Sequence, residues 1–256
     1  MKISTWNVNS LRVRLNQVLG WLQQEQPDIL CLQETKLVDD NFPEAELRDC
    51  GYNVVYSGQK TYNGVATLSR IDAREVVAGI PGYHDPQKRV LAASLDHVRV
   101  INVYVPNGQQ VGSQKYEYKL DWLRKLQAFV EAELSRYSDL FLLGDFNIAP
   151  EDRDVYDPES WAGKVLCSEP EREAFRALVR TGLYDSFRKF EQEPGIFSWW
   201  DYRAAAFRRK RGLRIDHLLC SAPLYESCRA CRVDSGPRIL ERPSDHAPVV
   251  AEFQDY

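Results

Sequence analysis

The chain is short of long apolar runs, of paired cysteines and of positive charge, and each shortage removes a class of protein. No stretch approaches the roughly 20 consecutive apolar residues of a membrane span, so no membrane association is expected. The opening "MKISTWNVNS" carries one lysine with no apolar segment behind it, so a secretory signal is not expected and the cytoplasm is the expected compartment. Six cysteines stand at 31, 50, 167, 220, 228 and 231, and only "CRAC" (Cys228, Cys231) has redox or zinc spacing. No second ligand pair accompanies it, so the set reads as reduced and structural. A net charge of −4 supplies no global field for nucleic acid, although a local basic patch suffices to grip a short backbone. Gly/Ser-rich linkers, low-complexity tracts and repeats are also missing, so residues 1–256 read as one domain with a substantial core.

What is present is an alternation of two periodicities. Short apolar, β-branched runs end abruptly in polar residues: "KISTWNVNS", "DILCLQETK", "VRVINVYVPNG", "DLFLLGDFNI", "LRIDHLLCS" and "HAPVVAEF". Their lengths and flanking turn residues predict strands. Leu15–Gln24, Tyr118–Arg136 and Arg172–Thr181 place apolar residues at helical spacing, with Gly182 suited to close the third. Strands alternating with helices predict an α/β fold with helix-covered sheets. Residues 150–170 form a long irregular insert, and such loops are often functional.

The strand ends carry the chemistry. The first delivers Asn7 and Asn9, the second Gln33 and Glu34, and the later ones Tyr104 with Asn107, Asp145 with Asn147, Asp216, and Asp245 with His246. Any one of these reads most simply as a turn or cap residue. Together they are harder to dismiss, because converging carboxylates repel unless a cation or proton joins them. Glu34, Asp145 and Asp245 with asparagine amides form a hard oxygen set suited to Mg²⁺, with Mn²⁺ as a substitute. His246 is suited to donate to a phosphate oxygen, provided another group fixes its tautomer. Asp216, on a different strand, is better placed for that than the adjacent Asp245.

These stretches together resemble the exonuclease III family of DNA-repair nucleases, within the endonuclease/exonuclease/phosphatase superfamily. The pieces that carry the resemblance are "TWNVNSLRVR", "LQETK", "YNGVA", "NVYVPNG", "GDFNIAPEDRD", "FSWWDYR", "RGLRIDHLL" and "SDHAP", in the family's order from Ile3 to Phe253. The resemblance implies a deoxyribonuclease I-like four-layered α/β sandwich, two mixed β-sheets flanked by helices. It implies a Mg²⁺-dependent phosphodiesterase acting on duplex DNA at abasic sites and 3′ ends. By position, Glu34 is then the main metal ligand with Asn7 and Asn9 beside it, and Asp145, Asn147 and His246 also face the metal. Asp145 would hold the attacking water and Asn147 would position it. Tyr104 and His246 would contact the phosphate, Asp216 would orient His246, and Asp245 would sit near the metal or leaving group. Some relatives carry Asp where this chain has Asn9.

Substrate choice rests on further residues. The resemblance places Trp199, Leu213 and Ile215 around a sugar pocket and Asn107 against phosphate, while Trp200 is expected to pack inside. "RAAAFRRKRGLR" carries Arg203, Arg208, Arg209, Lys210, Arg211 and Arg214, candidates for gripping flanking phosphates. Arg89, Lys115 and Tyr116 are further backbone-contact candidates. Trp161, Val165 and Leu166 of the insert either reach the sugar pocket or pack the insert. The two outcomes separate an abasic-site endonuclease from an enzyme that is primarily a 3′–5′ exonuclease and 3′-phosphatase. A phosphoinositide substrate fits the aromatic and basic segments poorly, and a monomer is the default expectation.

Overall fold

The computed structural model describes residues 1–254. The chain lays down β1 (Lys2–Asn7), β2 (Ile29–Gln33), β3 (Asn53–Ser57) and β4 (Val65–Ser69) in one sheet. It then builds a second from β5 (Ala73–Ala78), β6 (Val90–Leu95), β7 (Val98–Tyr104), β8 (Leu140–Asp145), β9 (Leu183–Asp185) and β10 (Asp216–Ser221). Finally β11 (Cys228–Val233) and β12 (Val249–Phe253) return to the first sheet. The strand orders are β11-β12-β1-β2-β4-β3 and β5-β6-β7-β8-β10-β9. Both sheets are mixed, since β1 runs parallel to β2, and β7 to β8, while the other pairings are antiparallel.

The central strands are buried on both faces, since successive side chains leave opposite faces and each face meets another layer. Ile3, Ile29, Cys31, Phe141, Leu143, Leu218 and Cys220 fill the layer between the sheets. Leu30 and Leu32 face outward against helix α1 (Leu11–Glu25) and the short α2 (Glu44–Asp49). Leu140, Leu142 and Leu219 face outward against α3 (Gln114–Leu134) and, beyond the insert helix α4 (Pro158–Trp161), α5 (Glu169–Arg180). A last short helix, α6 (Ala222–Ser227), joins β10 to β11. The result is four layers, helices outside two stacked sheets, as the resemblance implies. Among the described residues no helix is long and apolar enough to cross a membrane.

The helices extend a few residues beyond the sequence expectation, since α1 starts at Leu11 and α3 at Gln114 behind the cap Ser113, whose hydroxyl accepts the Tyr116 amide. Gly182 follows the C-cap Thr181 of α5 with φ +111, a conformation that glycine adopts without a Cβ penalty. Gln33 departs from its grouping with the strand-end chemistry. It is fully buried between the sheets and donates to Thr5 Oγ1 (2.9 Å) and Asn102 Oδ1 (2.8 Å). Asn102 in turn donates to the carbonyls of Leu32 and Ala66, so this amide pair pins one sheet to the other. The cysteines are free thiols, and burial pushes Cys31 and Cys220 up to about 12, which leaves them inert.

Candidate active site

Strand register gathers the polar residues at one end of the stacked sheets. In the second sheet Tyr104, Asp145 and Asp216 occupy one rung, since Asp145 pairs with both others across β7–β8 and β8–β10. In the first, Asn7 pairs with Gln33, and Glu34 follows at once. The chain leaves these rungs through left-handed backbone at Asn9 (φ 43°), Glu34 (φ 52°), Lys36 (φ 56°) and Asn147 (φ 50°). Non-glycine residues held there store strain of a kind that concentrates at functional sites. Gly144, one residue before Asp145, has φ +147, and a Cβ there would lie 1.9 Å from the Val103 carbonyl oxygen. Glycine at 144 therefore lets β8 approach β7 closely enough to seat Asp145.

Asn7 joins the two sheets chemically. Its Nδ2 donates to Glu34 Oε1 (2.9 Å) and to Asp145 Oδ2 (2.8 Å), drawing two carboxylates toward one point. Asp145 also accepts the Asn147 amide at 2.8 Å, a turn bond that fixes the carboxylate plane. The Asn147 side chain donates to the Val105 carbonyl and to Asp145, and accepts from Asn107 Nδ2 at 3.0 Å. Lys36 Nζ sits 2.8 Å from Glu34 Oε2 and 2.5 Å from Asn9 Oδ1. Burial alone would raise the Glu34 carboxyl; Lys36 and the Asn7 bond outweigh it and hold Glu34 below the usual range.

His246 enters on the loop before β12. Its Nδ1 is 2.9 Å from Asp216 Oδ2, and its Nε2 is 3.7 Å from Asp145 Oδ2. Burial would discharge the ring, but the two carboxylates outweigh it and shift His246 upward, toward imidazolium. Asp145 is pushed upward too, first by burial and then by Asp216 and Glu34, against the pull of His246. Tyr104 is held well above its ordinary value by burial and by Glu34 and Asp145, so it stays a hydroxyl donor. The array thus pairs a basic carboxylate with cationic and neutral donors, which is what hydrolysis of an anionic ester requires.

Two supports escaped the sequence reading. Ser198, inside the aromatic "FSWW", donates to Asp216 Oδ2 (2.6 Å) and accepts the Ile215 and Asp216 amides (both 3.0 Å). Arg238 packs near the rings of Trp200, Tyr202 and Phe207 and donates to the Ser244 carbonyl, holding the loop that carries His246. Ser198 has no local signal because Asp216 lies 18 residues on, and Arg238, six residues from Ser244, reads as one more surface arginine.

The donor set fits a divalent cation. Glu34, Asp145 and His246 bring ligand atoms within 4.8 Å of one another. Asn9 and Asp245, expected beside them, connect to this set through Lys36, which bridges Glu34 Oε2 and Asn9 Oδ1. Asp245 accepts from Asn9 Nδ2 (2.9 Å) and from the Trp199 indole (3.0 Å), and Asn9 Oδ1 is taken by Lys36.

Several expected DNA contacts also move. Leu213 and Ile215 are buried and pack in one apolar cluster with Leu166 and Val155 of the insert, with Trp161, Val165 and Trp199 against it. Arg214 is not part of a basic patch but buried against Asp154 and Asp185. Arg89 lies against the Tyr104 ring and donates to the Tyr104 carbonyl, so it supports that tyrosine. Tyr116 is buried against Ser168. Lys115 and Arg208–Arg211 are exposed, and Arg203 is exposed but paired with Asp201. Trp200 is buried, as expected. Lys115, Arg89 and Asn107 border a groove of about 630 Å³ that also includes Tyr62 and Gln109.

Residues 4–246 match the Endonuclease/Exonuclease/phosphatase family. The chain is 37% identical to the exodeoxyribonuclease III of Haemophilus influenzae, covering 99% of this chain and 100% of that one. Its structure superposes with a TM-score of 0.97 on the Neisseria meningitidis 3′-5′ exonuclease NExo, at 54% identity and 99% coverage of both chains. The same enzyme has been described as a 3′ phosphatase bound to a product DNA hairpin (53% identity, TM-score 0.97, 99% coverage of both). An AP endonuclease from Archaeoglobus fulgidus is 40% identical, with a TM-score of 0.96 and 99% coverage of both chains.

Proposed function

Because the chain belongs to the endonuclease/exonuclease/phosphatase family, in its exonuclease III group of DNA-repair nucleases, we propose that this hydrolase works mainly on the 3′ ends of duplex DNA. On this reading it removes 3′-phosphates and terminal nucleotides and cuts internal abasic sites poorly. The observation that carries it is Leu166. This residue is 4% exposed and held at φ +75 by the insert, and it caps the Leu213–Ile215 floor on which a flipped, base-free sugar would rest. A frayed 3′ end can approach the phosphate site without entering that floor. The 3′-directed activities named for the Neisseria enzyme accord with this.

In the proposed mechanism the phosphate enters between the Tyr104 hydroxyl and the His246 ring. Asp216 holds the ring through Nδ1 so that Nε2–H points at a phosphate oxygen, and Ser198 holds Asp216. Asp145, raised by burial among carboxylates, accepts a proton from the attacking water that Asn147 orients. As the water oxygen bonds phosphorus, the bond from phosphorus to the DNA 3′ oxygen breaks, and that oxygen leaves as a hydroxyl with a proton from solvent. Glu34 with Asp145, assisted by Asn7, would hold a Mg²⁺ ion, which neutralises phosphate charge and activates water. Lys115, exposed beside Asn107, and the exposed Arg208–Arg211 would contact backbone phosphates. The whole chain would act as one catalytic unit, monomeric and cytoplasmic.

One assay tests this reading. A 5′-labelled duplex carries a 3′-phosphate and one internal abasic analogue, and is incubated with Mg²⁺ and then with chelator. The expected result is Mg²⁺-dependent phosphate loss and a ladder shortening from the 3′ end, with the analogue uncut. A single strong band at the analogue would overturn it.

A further inference from the structure

A buried ion pair lies behind the site, between α3 and α5. Lys119 Nζ and Glu171 Oε1 are 2.5 Å apart, and both side chains are 0% exposed. Exchanging such a pair for apolar residues is often neutral for stability or better, so stability alone gives little reason for it. What an apolar pair could not do is donate and accept in fixed directions. A lysine ammonium has three donors, and here each has an acceptor: Glu171, the Asn107 carbonyl (3.1 Å) and the Asn147 carbonyl (2.7 Å). Glu171 is equally occupied. Oε1 also accepts the Leu166 amide (3.0 Å), and Oε2 accepts the Ser168 amide (3.1 Å) and hydroxyl (2.5 Å).

The two carbonyls belong to the residues whose side chains meet at the phosphate face, where Asn107 Nδ2 donates to Asn147 Oδ1. The two amides belong to the insert segment that caps the sugar floor. The Ala149 amide also donates to the Leu166 carbonyl, closing the circuit between insert and Asn147 loop. We propose that Lys119 and Glu171 are positioning residues: through one satisfied ion pair they set the Asn107 and Asn147 loops for turnover and hold Leu166 over the sugar floor. The Leu166 half rests on the 3′-end reading above; the Asn107–Asn147 half does not.

The test replaces both partners together, Lys119→Met with Glu171→Leu, so that no lone charge stays buried. Thermal unfolding, KM and kcat on a 3′-phosphate duplex, and the ratio of internal abasic cleavage to 3′ removal are measured on the full-length protein. The expected result is a cooperatively folded variant with KM within about threefold of the parent and kcat at least about tenfold lower, since small misplacements of positioning groups cost this much. The cleavage ratio rises as Leu166 is released. A folded variant with kcat within about twofold of the parent and an unchanged ratio overturns the proposal. Should that variant fail to fold, Glu171→Gln decides. It is isosteric but sets an amide donor against donors on one side, so its kcat must fall, and parental kcat in it overturns the proposal. If the parent itself cuts internal abasic sites readily, the 3′-end reading fails, and the kcat comparison still judges the ion pair.

Discussion

The strand ends and the 150–168 insert meet at the same site but are held by different forces. At the strand ends, ladder bonds put Tyr104, Asp145 and Asp216 on one rung, and a one-residue slip would turn every one of them to the opposite face. Among the described residues the insert has one β-bridge, from Val155 to Leu213. Its position comes from charged side chains instead: Asp154 against Arg214 and Arg188, and Glu171 against Lys119. Register is robust to single side-chain changes, whereas a side-chain clamp is not. The chemistry should therefore resist change outside its own residues, and substrate choice should shift with few substitutions.

The sharpest way to break this comparison is at the rung itself. Asp145→Asn or His246→Asn should lower kcat on a 3′-phosphate duplex by at least about 10², the scale of losing a positioned base or donor, with the fold intact by circular dichroism. Near-parental turnover in either would put the site elsewhere. Asp216→Asn should cost about tenfold or more, because an amide can present its donor to Nδ1 and so favour the wrong tautomer. Steady-state kinetics showing unchanged kcat would remove Asp216 from the mechanism.

On the insert side, Leu166→Gly should raise internal abasic cleavage relative to 3′ removal about fivefold or more by uncovering the sugar floor. The fold should lose a few kcal/mol from the emptied site, partly offset because glycine accepts the positive φ. An unchanged cleavage ratio on the dual-substrate duplex would show that Leu166 merely packs the insert.

A last effect, on stability and not on turnover, concerns His217, which is buried with Nδ1 3.0 Å from Arg214 and Nε2 2.8 Å from the Ile148 carbonyl. Burial, reinforced by Arg214, lowers it to about 4. The unfolded chain then binds a proton that the folded one refuses, so this contribution is complete above about pH 6.5 and is lost as pH falls toward 4. Denaturant unfolding should show the parent losing about 1.4 kcal/mol per pH unit more than His217→Gln across that window. Parallel curves would mean the ring is protonated in the fold.

Much of the site was legible because its residues stand at the ends of apolar runs, where a continuous hydrophobic stretch gives way abruptly to polar residues. Asn7, Glu34, Tyr104, Asp145, Asp216 and His246 all carry that signal. Ser198 was hidden by its aromatic neighbours, and Lys119 and Glu171 look like surface charges on amphipathic helices. Leu213 and Ile215 were read as a pocket lining, but no local pattern tells a lined pocket from a filled one. Asp245 lies next to His246 in the chain, yet its side chain bonds Asn9 and Trp199 while His246 meets Asp216.

By itself the sequence determined the order of strands and helices, the two-sided burial of the central strands and the residue types at their ends. These follow from local periodicity, which any short window carries. Tertiary structure alone decided that Asp145 shares a rung with Tyr104 and Asp216, that Leu166 packs with Leu213 and Ile215 and that Lys119 bonds the Asn107 and Asn147 carbonyls. Each is a contact across roughly 10 to 70 residues of chain, set by register, by apolar packing and by satisfying buried charge.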